Sequence, residues 1–205
     1  MLVPPLILAS ASSRRSELLR SLGIRFRTVP PDVDEAARPG EAPEEHALRL
    51  AETKARTVAA HRPLDRDAVV LGADTVVALD GIVLGKPSDE ADARRMLRLL
   101  AGRTHEVFTG VSVCRTGDGR RAGSVERTVV RFRPLDETIL SWYVSTGECA
   151  DKAGAYSIQG QGVLLTDGIQ GSWSNVVGLP LEALPSLLAR VGIDLRELVI
   201  SGSGA

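Results

Sequence analysis

The run from Ala68 to Leu79 constrains this chain more than any other stretch. It is apolar and β-branched except at Asp74 and Thr75, which reads as a strand. A carboxylate inside such a strand is poorly tolerated unless it is paired, coordinated or at a sheet end. Asp74 is therefore a metal-ligand or general-base candidate, with a structural cap as the alternative. Asp80-Gly81 then turns the chain into a hairpin strand at Ile82 to Leu84.

Around this run, strand and helix patterns alternate. Leu6 to Ala9 reads as a short buried strand leading into a helix that carries Leu18, Leu19 and Leu22 and stops at Gly23. Phe26 to Val29 follows as a strand, and Pro30 to Pro43 as an acidic, proline-rich loop. From Glu44 to Ala60 the stripe Ala47, Ala51, Ala55 and Val58 predicts a long helix. Ser88 is the expected N-cap of a helix ending near Gly102. Val107 to Cys114 and Val125 to Phe132 pair as strands around a Gly-Asp-Gly turn. A helix at Asp136 to Thr146, a glycine-rich stretch at Gly154 to Gly162, a further strand and a helix near Leu181 to Val191 complete the series. Such intermingling favours an α/β fold with a mixed sheet. Residues 1–200 are expected to form one domain, with a disordered Gly/Ser tail at Ser201 to Ala205.

Bulk properties narrow the function classes. In 205 residues, 25 Lys and Arg stand against 26 Asp and Glu, so no global basic field exists to hold a polynucleotide. Aromatic residues make up 3% of the chain, too few for rows of base-stacking platforms. Local anion binding suits small phosphates better. Cys114 and Cys149 make no disulfide framework or zinc motif. The apolar start lacks a basic leader and is broken by Pro4 and Pro5, and no apolar run is long enough to cross a bilayer. A soluble cytoplasmic protein is expected.

The chemistry-bearing candidates begin with Ser10-Ala11-Ser12-Ser13-Arg14-Arg15, at a strand-to-helix junction. Two arginines in the first helical turn oppose the macrodipole, by about 0.3–1 kcal/mol each. A bound polyphosphate would reverse that sign, with backbone amides, hydroxyls and guanidinium forks as its cradle. Alternatively both arginines reach into solvent. No Walker A pattern is present. Lys54 falls on the apolar stripe of its helix, where it needs a carboxylate or an anionic ligand, or lays its stem along the surface with its head in water. Lys86 follows a hairpin strand, Glu35 lies in the acidic loop, and Gln159 sits in a glycine-rich loop able to approach a ligand. His46, His61 and His105 show no ligand spacing and read as structural or surface residues, and Cys149 as a small apolar one.

Taken together, these segments resemble the Maf family. The likeness runs from Leu8-Ala9-Ser10-Ala11-Ser12-Ser13-Arg14-Arg15-Ser16-Glu17-Leu18-Leu19 through Val33-Asp34-Glu35, Ala51-Glu52-Thr53-Lys54-Ala55, Ala73-Asp74-Thr75-Val76-Val77 and Gly85-Lys86-Pro87. It resumes at His105 to Gly110, Asp151 to Tyr156 and Asn175 to Pro180. The resemblance implies two lobes around a central cleft in a mixed twisted sheet with flanking helices, as in Maf and ITPase-like proteins. It also implies a cytoplasmic, homodimeric, house-cleaning nucleoside triphosphate pyrophosphatase. Ser10, Arg14 and Arg15 match the family's phosphate-binding start. Glu35, Lys54, Asp74, Lys86 and Gln159 match its cleft residues, with Asp74 as proton acceptor. Asp74-Thr75 and Ile158-Gln159-Gly160 resemble the branch acting on dTTP and UTP, which makes Arg14, Thr75 and Gln159 specificity positions. Ser157 and Trp173 depart from the residues common in the family.

The expected chemistry places Mg²⁺ or Mn²⁺ between the carboxylates of Glu35 and Asp74, since hard oxygen ligands suit these ions. Asp74 orients or deprotonates a water directed at the α-phosphorus, while Arg14, Arg15, Lys54 and Lys86 neutralise the departing pyrophosphate. The rival expectations are a 7-methyl-GTP-type pyrophosphatase of the same family and a non-catalytic nucleotide-binding regulator of cell division.

Overall fold

The computed structural model describes residues 3–60 and 67–199; His61 and the Ser201 to Ala205 tail lie outside them. Seven strands form one mixed sheet: β1 (Leu6–Ala9), β2 (Phe26–Thr28), β3 (Val69–Leu79), β4 (Ile82–Leu84), β5 (Thr104–Arg115), β6 (Arg121–Phe132) and β7 (Thr166–Gln170). Their order is β2-β1-β3-β5-β6-β7, with β4 attached to β3. The helices are α1 (Ser13–Ser21), α2 (Pro43–Ala60), α3 (Glu90–Leu100), α4 (Glu137–Ser145), α5 (Trp173–Val177), α6 (Leu184–Arg190) and α7 (Leu195–Leu198).

The pairing of β3 positions the site. On one edge β3 runs continuously beside β5. On the other, residues 69–72 pair in parallel with β1 and residues 77–79 pair in antiparallel with β4. Residues 73–76 therefore have no strand partner on that edge, leaving a notch at mid-strand. Strand alternation then sorts the side chains. On one face, Val69 and Leu71 enter a core with Leu8, Leu19, Val111, Val113 and Leu187. Val77 and Leu79 of the same face enter a second core with Leu97, Val107, Phe132 and Tyr143. These cores are the two expected lobes, joined by β3, β5 and β6, and Thr75 falls between them.

On the opposite face α2 lies unusually close to the sheet, because two glycines face it. A Cβ at Gly72 would stand 2.3 Å from the Ala51 carbonyl oxygen, and one at Gly110 would stand 2.3 Å from that of Ala47. Gly110 is the register partner of Asp74. The close approach thus brings the cavity-side face of α2, including Lys54, against the notch.

Most element boundaries follow their sequence signals. The exception at α3 is instructive: Asp89, not Ser88, is the N-cap, its carboxylate accepting from Asp92 N at 2.7 Å. The Ser88 amide instead donates to Asp92 Oδ2 at 3.1 Å, so cap and first turn grip each other from one residue later than expected. α6 is shorter than the Leu181 to Val191 pattern, because a 3₁₀ turn occupies Leu181–Ala183, and the short α7 follows it.

Candidate active site

A cavity of about 600 Å³ opens at the notch, a size suited to a small ligand. The segment leaving β1 forms one rim. Ser12 caps α1 by accepting from Arg15 N at 3.4 Å, and Ser10 Oγ accepts from Ser12 N at 3.1 Å. The Ser13 and Arg14 amides have no acceptor among the described residues, so the positive end of α1 faces the cavity unsatisfied. Arg14 reaches across the mouth to Asp151, 3.7 Å away.

Arg15 has a different station. Its Nε donates to Gly178 O at 2.7 Å, Nη1 to Ser10 Oγ at 3.1 Å and Nη2 to Thr75 Oγ1 at 3.1 Å. Burial lowers its pKa, opposed by the nearby Asp74 carboxylate; a guanidinium stays charged regardless. Thr75 Oγ1 lies 2.9 Å from Thr109 Oγ1, which donates to Asn175 O at 2.9 Å. Asn175 Nδ2 donates to Val107 O at 3.1 Å and to Thr128 Oγ1 at 2.9 Å. This polar belt fills the space between the two apolar cores.

The centre is Lys54. Its Nζ donates to Asp74 Oδ1 at 2.5 Å and also pairs with Glu35 Oε1. Lys86 Nζ approaches the other Glu35 oxygen at 3.9 Å. The Lys54 and Asp74 side chains are 8% and 11% exposed, whereas Glu35 is 48% exposed. Burial opposes ionisation of Glu35, but Lys54, Lys86 and Arg15 together outweigh it and hold the carboxyl below its ordinary range. Two carboxylates of contrasting exposure thus converge on one point, Asp74 on a strand and Glu35 on a loop. Among the described residues no cluster of three or more His, Cys, Asp or Glu side chains forms a closed metal site. Two converging carboxylates nevertheless fit a divalent cation that completes its shell with phosphate and water.

A family model described as Maf-like protein matches residues 5–191. The chain belongs to the Maf family. The dTTP/UTP pyrophosphatase of Syntrophus aciditrophicus is 48% identical over 202 residues, covering 98% of this chain and 95% of the relative. That of Symbiobacterium thermophilum is 51% identical over 190 residues, covering 93% and 95%. Among solved structures, a nucleoside-triphosphatase / dITP/XTP pyrophosphatase from Mycobacterium abscessus aligns with a TM-score of 0.39 and 20% identity, over 62% of this chain and 74% of that one.

Of the Maf residues expected at the site, Ser10, Arg14, Arg15, Glu35, Lys54, Asp74, Thr75 and Lys86 all line the cavity. Gln159 does not: Ile158 and Ser157 face the cavity, while Gln159 stands beyond them with its amide on Ser157 Oγ at 3.1 Å. Thr75 contributes wall, but its hydroxyl is committed to Arg15 and Thr109. Among the lining residues to which motif reasoning gave no role are Asp151 and His46. Asp151 lay inside a recognised segment without an assigned role. His46 read as structural, yet it precedes Leu50 and Lys54 at successive four-residue steps, a spacing that stacks side chains on one helix face, and all three line the cavity.

Proposed function

We propose that this chain hydrolyses dTTP and UTP to the monophosphate and pyrophosphate, acting as a single domain with a Mg²⁺ or Mn²⁺ cofactor. The observation that carries the reading is the convergence of Asp74 and Glu35 on Lys54 beside the unsatisfied amides of α1. The dTTP/UTP pyrophosphatase activity for which the relatives are named, each similar over nearly the whole chain, supports it. Glu35 and Asp74 would hold the cation, which would supply charge neutralisation on the phosphates.

The remaining chemistry belongs to the chain's own side chains. Asp74 Oδ1 is held by Lys54, leaving Oδ2 to orient a water towards the α-phosphorus and take its proton. The α1 amides and Arg14 receive phosphate oxygens, and in doing so Arg14 leaves Asp151. Lys54 and Lys86 face the charge that develops on the departing pyrophosphate. Arg15 acts mainly by fixing the rim, since three of its nitrogens are already engaged. In this proposal Arg14, Thr75 and Gln159 set base preference, with Gln159 acting through the loop that carries Ile158. No helix among the described residues is long and apolar enough to cross a membrane. The proposed setting is the cytoplasm, and the proposed assembly a homodimer that binds nucleoside triphosphates rather than polynucleotides or membranes.

The test is pyrophosphate release from a panel of nucleoside triphosphates with Mg²⁺, Mn²⁺ or EDTA. Metal-dependent turnover concentrated on dTTP and UTP is expected. Turnover concentrated on 7-methyl-GTP would overturn the substrate assignment, and nucleotide binding without any turnover would overturn the enzyme.

A further inference from the structure

His46 is 5% exposed yet lines the cavity with Leu50, Val76 and Val83. Its Nδ1 is 2.9 Å from Glu41 Oε2. Glu41 is itself gripped by Arg49, whose Nη2 donates to Oε2 at 2.7 Å and whose Nε donates to Oε1. The Arg49 hydrogen bond, the largest influence, holds the Glu41 carboxyl well below the usual carboxylate range against the opposing effect of burial. An ionised carboxylate only accepts, so Nδ1 must carry a proton. Arg49 Nη2 also lies 3.2 Å from Nδ1, but two donors make no bond, and both point to Glu41. In the neutral ring Nε2 is then an acceptor, and no described residue hydrogen-bonds it. A free acceptor with a fixed tautomer, on a side chain otherwise enclosed by the protein, is therefore offered to the cavity from a largely apolar wall.

Resting on the reading of the cavity as a nucleotide site, we propose that His46 Nε2 accepts the imino N–H of the nucleobase. His46 lies eight residues before Lys54 on α2, a rise of ~12 Å, comparable with the reach from a reacting phosphorus to the far edge of a base. Thymine and uracil offer an N3–H donor there; cytosine N3 and adenine N1 offer only a lone pair. A fixed acceptor accordingly favours the first pair and leaves two opposed lone pairs with the second, the kind of mismatch a buried polar group penalises most.

The experiment compares kcat/KM for dTTP, N3-methyl-dTTP and dCTP in the wild type, His46→Leu, His46→Gln and Glu41→Gln, beside dissociation constants for the α,β-imido analogues of the same three. In the wild type, N3-methylation should weaken binding about tenfold or more. His46→Leu should abolish that difference, and His46→Gln, which keeps an acceptor, should retain part of it. Glu41→Gln frees the tautomer and should narrow the preference for dTTP over dCTP. Equal losses on all three nucleotides, or an N3-methyl effect that persists in His46→Leu, would overturn the contact. The imido analogues decide the contact without turnover. A wild type that binds them but hydrolyses no triphosphate would overturn the hydrolase reading instead.

Discussion

Asp74 and Thr75 are neighbours on one strand, both polar in an apolar run, and they point to opposite faces with opposite consequences. On the Thr75 face the protons have settled places. Arg15 donates to Thr75, Thr75 to Thr109, and Thr109 to the Asn175 carbonyl, so each hydroxyl gives and receives once. On the Asp74 face the valences are incomplete. One carboxylate oxygen takes Lys54, the other has no partner among the described residues, and Glu35 joins from a loop without regular structure. Hydroxyls that each give and receive a hydrogen bond weld two cores together; a carboxylate oxygen left open at the same level of the same strand awaits a ligand. Charge alone would not separate the two cases, since each contains a cation, Arg15 on one face and Lys54 on the other. The place where an unused position opens does: Asp74 lines the cavity, whereas the unpartnered Asn175 Oδ1 is sealed away from it.

The largest test of this contrast is Asp74→Asn. The amide oxygen still accepts from Lys54, so thermal stability should change little, whereas loss of a general base should lower kcat about 10²–10⁴-fold. Steady-state pyrophosphate release and a melting curve on the same preparation check both halves. Unchanged turnover would place Asp74 with Thr75 as scaffold.

His105 is the intermediate case. It is 1% exposed, its Nε2 meets Tyr156 Oη at 2.8 Å, and its Nδ1 is unpartnered. Burial lowers its pKa from 6.5 to about 4. The folded value lies below the unfolded one, so the neutral ring's stability is present in full above pH ~6.5 and lost as pH falls from there towards the folded value. The loss should approach roughly 3 kcal/mol. Urea unfolding between pH 7 and pH 4 should show this slope in the wild type and a shallower one in His105→Gln.

Much of this was legible beforehand, for identifiable reasons. Asp74 stood out because an apolar strand rarely tolerates a carboxylate, and Lys54 because it broke an apolar stripe. The alternation of strands and helices foretold the mixed sheet. The notch did not show, because it arises from β1 and β4 sharing one edge of β3, a pairing between distant segments. The close seat of α2 at Gly72 and Gly110 was hidden for the same reason. The saturation of Arg15 was invisible too: its acceptors are Ser10, Thr75 and Gly178, the last of them 163 positions away from it in sequence. The place of His46 on the cavity wall was not read because a lone histidine carries no ligand spacing, although its four-residue steps to Leu50 and Lys54 were there to be read.

A smaller effect should come from Thr109→Val, which keeps the shape of a buried residue and cuts the proton chain at its middle. Thr75 loses an acceptor and the Asn175 carbonyl loses a donor, so unfolding free energy should fall by about 1–3 kcal/mol. On the reading above, kcat per folded molecule should stay near wild type. A collapse of turnover in a fully folded variant would show that the belt shapes the catalytic face as well as joining the cores.

The smallest effect should come from Lys86→Ala, where the contrast is most finely drawn. Lys86 is 63% exposed and 3.9 Å from Glu35, and exposed pairs of this kind contribute ~0–1 kcal/mol, so the melting curve should barely move. Yet Lys86 is one of the cations holding the Glu35 carboxyl low. The ionised form of Glu35 is favoured in the folded protein, so its contribution is present above the unfolded pKa and disappears as pH falls through the folded one. Removing Lys86 raises that folded value towards the ordinary range, so the acid limb of the kcat/KM profile should move to higher pH. An unmoved acid limb alongside lower turnover would assign Lys86 to the departing phosphates alone, with Glu35 held by Lys54 and Arg15.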